Sequence, residues 1–160
     1  KKWLTEYNPD NKINQKYFSE IDIIITIKDT NKKIKKLETF TKNFPEFLDG
    51  YYYLMIEYQN KQQYLKAYTI GISAGNKWKK YKLFRSKHQQ NIYNYLFQLN
   101  LAVNAYYSKF YDNAFIINSE LLEKYPNDKK LIVNQTFYRK KTKLDTKKLT
   151  NDLVKHFNMN

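Results

Sequence analysis

The sequence predicts an all-α protein built from antiparallel helical hairpins that stack on one another. Three observations lead there. Glycine and proline number 3 each in 160 residues, too few for the turns of a β-sandwich or barrel. Two stretches read as an apolar helix, a short polar turn and a second helix opening Tyr-x-x-Ala, at Tyr64 to Ala67 and again at Tyr111 to Ala114. Shifting the first of these back by about 34 residues, a repeat length typical of helical hairpins, finds a related pattern upstream.

The upstream hairpin covers about residues 14–47. Its frame puts Tyr17, Ile21 and Ile24 at first-helix core places and Leu37 and Phe40 at second-helix ones, and stops at Pro45. Within it Ile21 to Ile27 is rich in β-branched residues, and alternation and helical periodicity both fit it, so strand and helix stay open there. The second hairpin, about 48–81, has Tyr51, Leu54 and Tyr58 in its first helix and Tyr64, Ala67, Gly71 and Ala74 in its second. A basic stretch at about 82–94 reads as an insertion. The third hairpin, about 95–128, runs from Ala102 to Tyr107, through a turn that looks one residue short, into Tyr111, Ala114 and Leu121, and closes at Pro126. A degenerate helical pair, 129–157, follows. Asn127 and Asp128 cap its first helix, and Leu149, Leu153, Val154 and Phe157 stripe its second at i, i+4, i+5, i+8.

These spacings resemble the tetratricopeptide repeat (TPR), which sets large residues and a Tyr in the first helix, an Ala at mid-repeat and a Pro near the end. The small residues Ala67, Ala74 and Ala114 let antiparallel helices approach, while their large neighbours fill the space beside them. The family's Leu-Gly pair is absent, with Met55 and Val103 where the Gly belongs. The resemblance implies one domain over 1–160, folded as a short superhelix of about three repeats plus the terminal pair. HEAT-like hairpins or a plain helical bundle are the structural alternatives.

Composition bounds the rest. A chain of this length buries roughly 70% of its unfolded surface, and 42% hydrophobic with 18% aromatic residues suffices for a core. No run approaches the ~20 apolar residues of a membrane span. With no cysteine there is no disulfide framework and no thiolate metal site. A cytoplasmic location and an extracytoplasmic (periplasmic) one, after removal of an N-terminal segment, both fit. The net charge of +14 suggests an anionic partner, but among 29 basic residues only Arg85 and Arg139 are arginine, the preferred reader of phosphate and guanine. Lysine here accompanies Asn, Ile, Tyr and Phe, the residues of A- and T-rich codons, so much of the charge reads as compositional background.

No residue pattern calls for catalysis, a metal or a cofactor. His88 and His156 stand without a nucleophile in recognisable context, Glu120 and Glu123 read as a solvated helix face, and no Gly-rich phosphate loop occurs. Asn134-Gln-Thr136 matches a glycosylation acceptor inside an expected helix, where the match carries little. Two surfaces are candidates for binding. The first is a basic-aromatic patch of Lys77, Trp78, Lys79, Lys80, Tyr81, Lys82, Phe84, Arg85 and Lys87, suited to an acidic membrane surface, a single-stranded nucleic acid or an acidic protein. The plain alternative is that its rings pack inward and its lysines are solvated.

The second surface follows from the resemblance, since first helices of TPR repeats line an inner groove that holds extended peptides or helices. Carried onto this chain the groove comprises Tyr52, Ile56, Gln59, Asn60, Asn100, Asn104, Tyr107, Phe137 and Lys141, a mix of amides and rings suited to peptide main chain and apolar anchors. The expectation is therefore a non-enzymatic protein-binding scaffold or adaptor. By resemblance it would serve bacterial secretion or envelope or pilus assembly. A basic helical-repeat protein binding nucleic acid or an acidic membrane is the alternative.

Overall fold

The computed structural model describes residues 12–75 and 86–143, and over these the chain is all-helical, with no strand among them. Seven helices follow in order: α1 (Lys12–Ile25), α2 (Thr30–Asn43), α3 (Leu48–Asn60), α4 (Tyr64–Ser73), α5 (87–107), α6 (Tyr111–Lys124) and α7 (Lys129–Lys141). Each helix packs on its predecessor, and α1 also meets α3 as α3 meets α5, an arrangement consistent with a helical repeat.

The isoleucine run resolves as helix. Tyr17, Phe18, Ile21 and Ile24 are buried, whereas Ile23 is 67% exposed, the three- and four-residue spacing of one helix face rather than the alternation of a strand. β-Branched residues cost a helix only a few tenths of a kcal/mol each, and burial in an aromatic cluster outweighs that. In the cluster the ring of Tyr17 lies 5.4 Å from Phe40, 5.5 Å from Phe44 and 4.3 Å from Phe47.

The hairpins repeat in detail. In the α3–α4 turn Gln63 N donates to Tyr58 O (2.9 Å) and Gln62 has φ 57°; in the α5–α6 turn Phe110 N donates to Ala105 O (2.9 Å) and Lys109 has φ 68°. The two turns are the same length, so the third hairpin's turn is not one residue short. At the far ends of the second helices, Phe44 N donates to Phe40 O and Tyr125 N to Leu121 O, both at 2.9 Å, and each residue then leaves the helix ahead of a proline. A residue before proline is excluded from the α region by the ring, which explains the common exit. Asp29 and Asp128 then cap α2 and α7 through their side chains, accepting from orphan N–H groups.

The expected insertion at 82–94 needs correction over its described part. From 87 the chain is helical, so α5 starts well before the third repeat frame at 95. Three consecutive pieces form it, Lys87–Asn91 (α), Ile92–Leu96 (π) and Phe97–Tyr107 (α). Ile92 and Tyr93 sit deep in the core at 0% and 2% exposure. The π-turn admits an extra residue per turn and so re-aims the side chains that follow it. Residues 82–85 of the expected insertion, residues 76–81 of the second hairpin and the last helix of the terminal pair, with Leu149, Leu153, Val154 and Phe157, lie outside the described residues.

The small residues that the TPR frame lacks at Met55 and Val103 are supplied elsewhere. A Cβ on Gly71 would lie 2.4 Å from Leu101 Cδ1 and 3.2 Å from Met55 Sδ. Leu101, with Met55 beside it, thus occupies the volume that Gly71 leaves open between α3, α4 and α5, with Ala67, Ala102, Ala105 and Ala114 fully buried in the same core.

Candidate docking groove

Helices α5 and α7 flank α6 without packing closely on each other. The gap between them is a depression of about 380 Å³ lined by Val103, Tyr106 and Tyr107 from α5 and by Asn134, Phe137 and Tyr138 from α7. Its volume falls in the lower part of the roughly 300–1,000 Å³ range of ligand clefts. Two aromatic doublets build it. Neighbouring residues on a helix point about 100° apart, so only one of each pair can face the core. Tyr138 is buried and Phe137 is 53% exposed; Tyr106 is half-buried and Tyr107 58% exposed.

On the α5 side the rings are held in place. Tyr107 stacks on Tyr64 of α4 at 4.6 Å, and Tyr106 bridges Tyr111 (5.4 Å) and Tyr138 (5.2 Å). Burial, with smaller contributions from Tyr107 and Tyr106, holds the Tyr138 hydroxyl well above the ordinary phenol range, so it is a neutral donor across physiological pH. Among the described residues the hydroxyls of Tyr106, Tyr107 and Tyr138 and the amide of Asn134 have no hydrogen-bond partner. An apolar depression with a few convergent, unengaged polar groups is the composition of a binding cleft.

The structure brings Tyr107 and Phe137 of the expected groove together and places Lys141 exposed on the last turn of α7. Others it assigns differently. Tyr52 is 8% exposed and belongs to the core. Asn104 is 0% exposed; its amide donates to Gln59 Oε1 and to Asn100 O, both at 2.8 Å, clamping α5 to α3. Asn100 returns its own amide to Leu96 O (2.8 Å), and Ile56 packs on the core. Tyr52 and Asn104 are thus corrected from partner-binding to structural residues, because an isolated helical wheel cannot say which polar residue a neighbouring helix will cover. Asn60 remains exposed at the end of α3. Val103, Tyr106, Asn134 and Tyr138 were not expected; the doublets Tyr106–Tyr107 and Phe137–Tyr138 were the available signal. Of the basic-aromatic patch, Lys77 to Lys82, Phe84 and Arg85 lie outside the described residues, and Lys87 is the exposed first residue of α5.

A second polar cluster is sealed. Asp49, 0% exposed, accepts from the Tyr17 hydroxyl and, at 3.0 Å, from the Tyr93 hydroxyl through the same Oδ2, while Leu48 N donates to Tyr93 Oη at 2.9 Å. Burial raises the Asp49 carboxyl above its ordinary range, partly offset by the two tyrosine bonds, and pushes both tyrosines well above theirs. Nearby, Tyr53, pushed up to about 12 chiefly by burial, meets exposed His88 Nε2 at 3.3 Å. The carboxylate joins α1, α3 and the π-turn of α5, closed to any substrate. We read it as a latch of the fold.

Fold and groove together define an all-α protein of stacked hairpins with an open cleft between α5 and α7. No group of three or more His, Cys, Asp or Glu side chains among the described residues could hold a metal ion, and no described helix is long and apolar enough to cross a membrane. Searches against protein-family models, curated proteins and solved structures find no match for this chain.

Proposed function

We propose that this protein is a TPR-like, non-enzymatic scaffold that holds a segment of a partner protein in the α5–α7 groove. The observation that carries the reading is the pairing of two exposed rings, Tyr107 (stacked on Tyr64) and Phe137, across a depression whose tyrosine hydroxyls and Asn134 amide have no hydrogen-bond partner among the described residues. Such groups match what a peptide offers: large side chains for the apolar floor and main-chain N–H and C=O for the rim. Rigid aromatic anchors of this kind supply most of the binding free energy in peptide interfaces. Service in secretion or in envelope or pilus assembly is the setting that the TPR resemblance suggests.

The test compares wild type with the Tyr107→Ala/Phe137→Ala variant in pull-downs from lysate of the source organism, with nuclease and at two salt concentrations. A discrete protein captured by wild type and lost by the variant is expected, each ring contributing about 2 kcal/mol, roughly 30-fold in Kd. Both rings are largely exposed, so melting should shift little. Equal capture by the variant removes the groove from the reading. Recovery of nucleic acid alone, lost at the higher salt, replaces the scaffold with a charge-driven nucleic-acid binder.

A further inference from the structure

We infer that the segment seated in this groove is acidic, an apolar or aromatic anchor flanked by carboxylates; the inference rests on the docking reading above. Beside the apolar depression lies a second one of about 310 Å³, to which Lys109, Lys141 and Lys143 contribute. Tyr106 joins the two, its ring touching Tyr111 of the basic depression and Tyr138 of the apolar one. A chain laid across the end of α5 would therefore meet the apolar floor and the lysines within a few residues.

The lysines are exposed, and among the described residues they have no anionic partner. Among the described residues the one carboxylate lining that depression, Asp112, turns inward: its Oδ1 accepts from the Thr142 hydroxyl and from Lys143 N (3.0 Å), tying the end of α7 to the start of α6. Lys109, Lys141 and Lys143 make no ion pair among the described residues. Helix α7 itself, KKLIVNQTFYRKK, carries no acid, and Arg139, Lys140 and Lys141 end it. Cations thus crowd one rim of an apolar cleft, a pattern that steers anionic segments and rejects cationic ones.

The turn reinforces the placement. Lys109 sits at φ 68°, a left-handed conformation that costs a non-glycine residue roughly 1–2 kcal/mol, and a six-residue hydrogen-bonded turn holds it there. Its exposed side chain lines the basic depression.

The experiment measures fluorescence anisotropy of short labelled peptides against the full chain. One peptide carries a central Trp flanked by Glu, one the same Trp flanked by Gln, one Trp flanked by Lys, and one Glu-flanked Ala; a labelled oligothymidylate runs in parallel. The Glu-flanked Trp peptide should bind about tenfold tighter than the Gln-flanked one, and more weakly as salt rises. Lys141→Glu/Lys143→Glu should erase that advantage with thermal unfolding unchanged, and Phe137→Ala should weaken both Trp peptides alike. Equal binding of the Glu- and Gln-flanked peptides overturns the acidic partner and leaves the groove standing. Binding that needs the lysines but ignores Phe137 and the Trp overturns the groove itself, as does failure of every peptide. Preferred binding of the oligothymidylate overturns both in favour of a nucleic-acid surface.

Discussion

Replacing Tyr93 by Phe tests how the buried latch holds the first hairpin to the rest of the protein. The Tyr93 hydroxyl accepts from Leu48 N at 2.9 Å and donates to Asp49 Oδ2 at 3.0 Å, at 2% exposure. Phenylalanine keeps the ring and removes both bonds. Leu48 N–H then lies at the start of α3 without its partner, at a helix whose N-cap, Phe47, offers no side-chain acceptor. Asp49 Oδ2 then loses one of its two tyrosine donors and keeps Tyr17. A neutral bond contributes about 0.5–1.5 kcal/mol and one to a charged group about 1.5–3, so the loss is roughly 2–4 kcal/mol. At about 2–4 °C per kcal/mol for a chain of this size, melting followed by circular dichroism should fall by about 5–15 °C. A urea titration should shift its midpoint with an unchanged slope. A melting temperature within a degree of wild type would refute the claim that this hydroxyl is what joins α3 to the π-turn.

Three other changes follow from the same geometry. Because burial raises the folded pKa of Asp49 above its unfolded value, its stabilising contribution is complete below the unfolded pKa of about 4 and is lost as pH rises through the folded value. Asp49→Asn should therefore gain stability relative to wild type as pH rises above about 4, and parallel stability–pH curves would contradict this. Asp128→Ala removes the α7 cap, whose Oδ1 accepts from Lys130 N (2.9 Å) and Leu131 N (3.1 Å) and whose Oδ2 accepts from Tyr95 (2.9 Å), at about 1 kcal/mol. Those bonds hold the Asp128 carboxyl below its usual range, so the stability it adds is present above that range and lost on acidification; the wild-type advantage over Ala should shrink at low pH. Gly71→Val places a branched side chain where even a Cβ lies 2.4 Å from Leu101; overpacking of about 2 kcal/mol or more should lower the denaturant midpoint.

The helices themselves were legible in the sequence. Local rules set them: few Gly and Pro, apolar stripes at helical spacing, Asp128 as a cap, and prolines at 45 and 126 that end two second helices alike. The third hairpin was harder, because periodicity does not reveal a π-turn. Lys87 to Asn94 read as basic insertion, although Ile92 and Tyr93 are core. Which polar residue faces solvent was also beyond the local pattern. Asn104 and Asn100 have the spacing of a groove face, yet α3 covers Asn104 through Gln59. Asp49 carried no signal in the local pattern, yet α1 and α5 enclose it.

By itself, then, the sequence determined the class and order of the helices, since hydrogen bonding along a helix and its apolar stripe are local properties. It also determined that α7 would be cationic. Only the tertiary structure decided that α5 and α7 stand apart, that Tyr106 and Tyr138 turn their neighbours Tyr107 and Phe137 outward across the gap, and that Asp112 is drawn inward, bonded to Thr142 and Lys143 N, beside three exposed lysines. These depend on distances between residues about 30 positions apart in the chain, which helix packing sets and no single helix encodes.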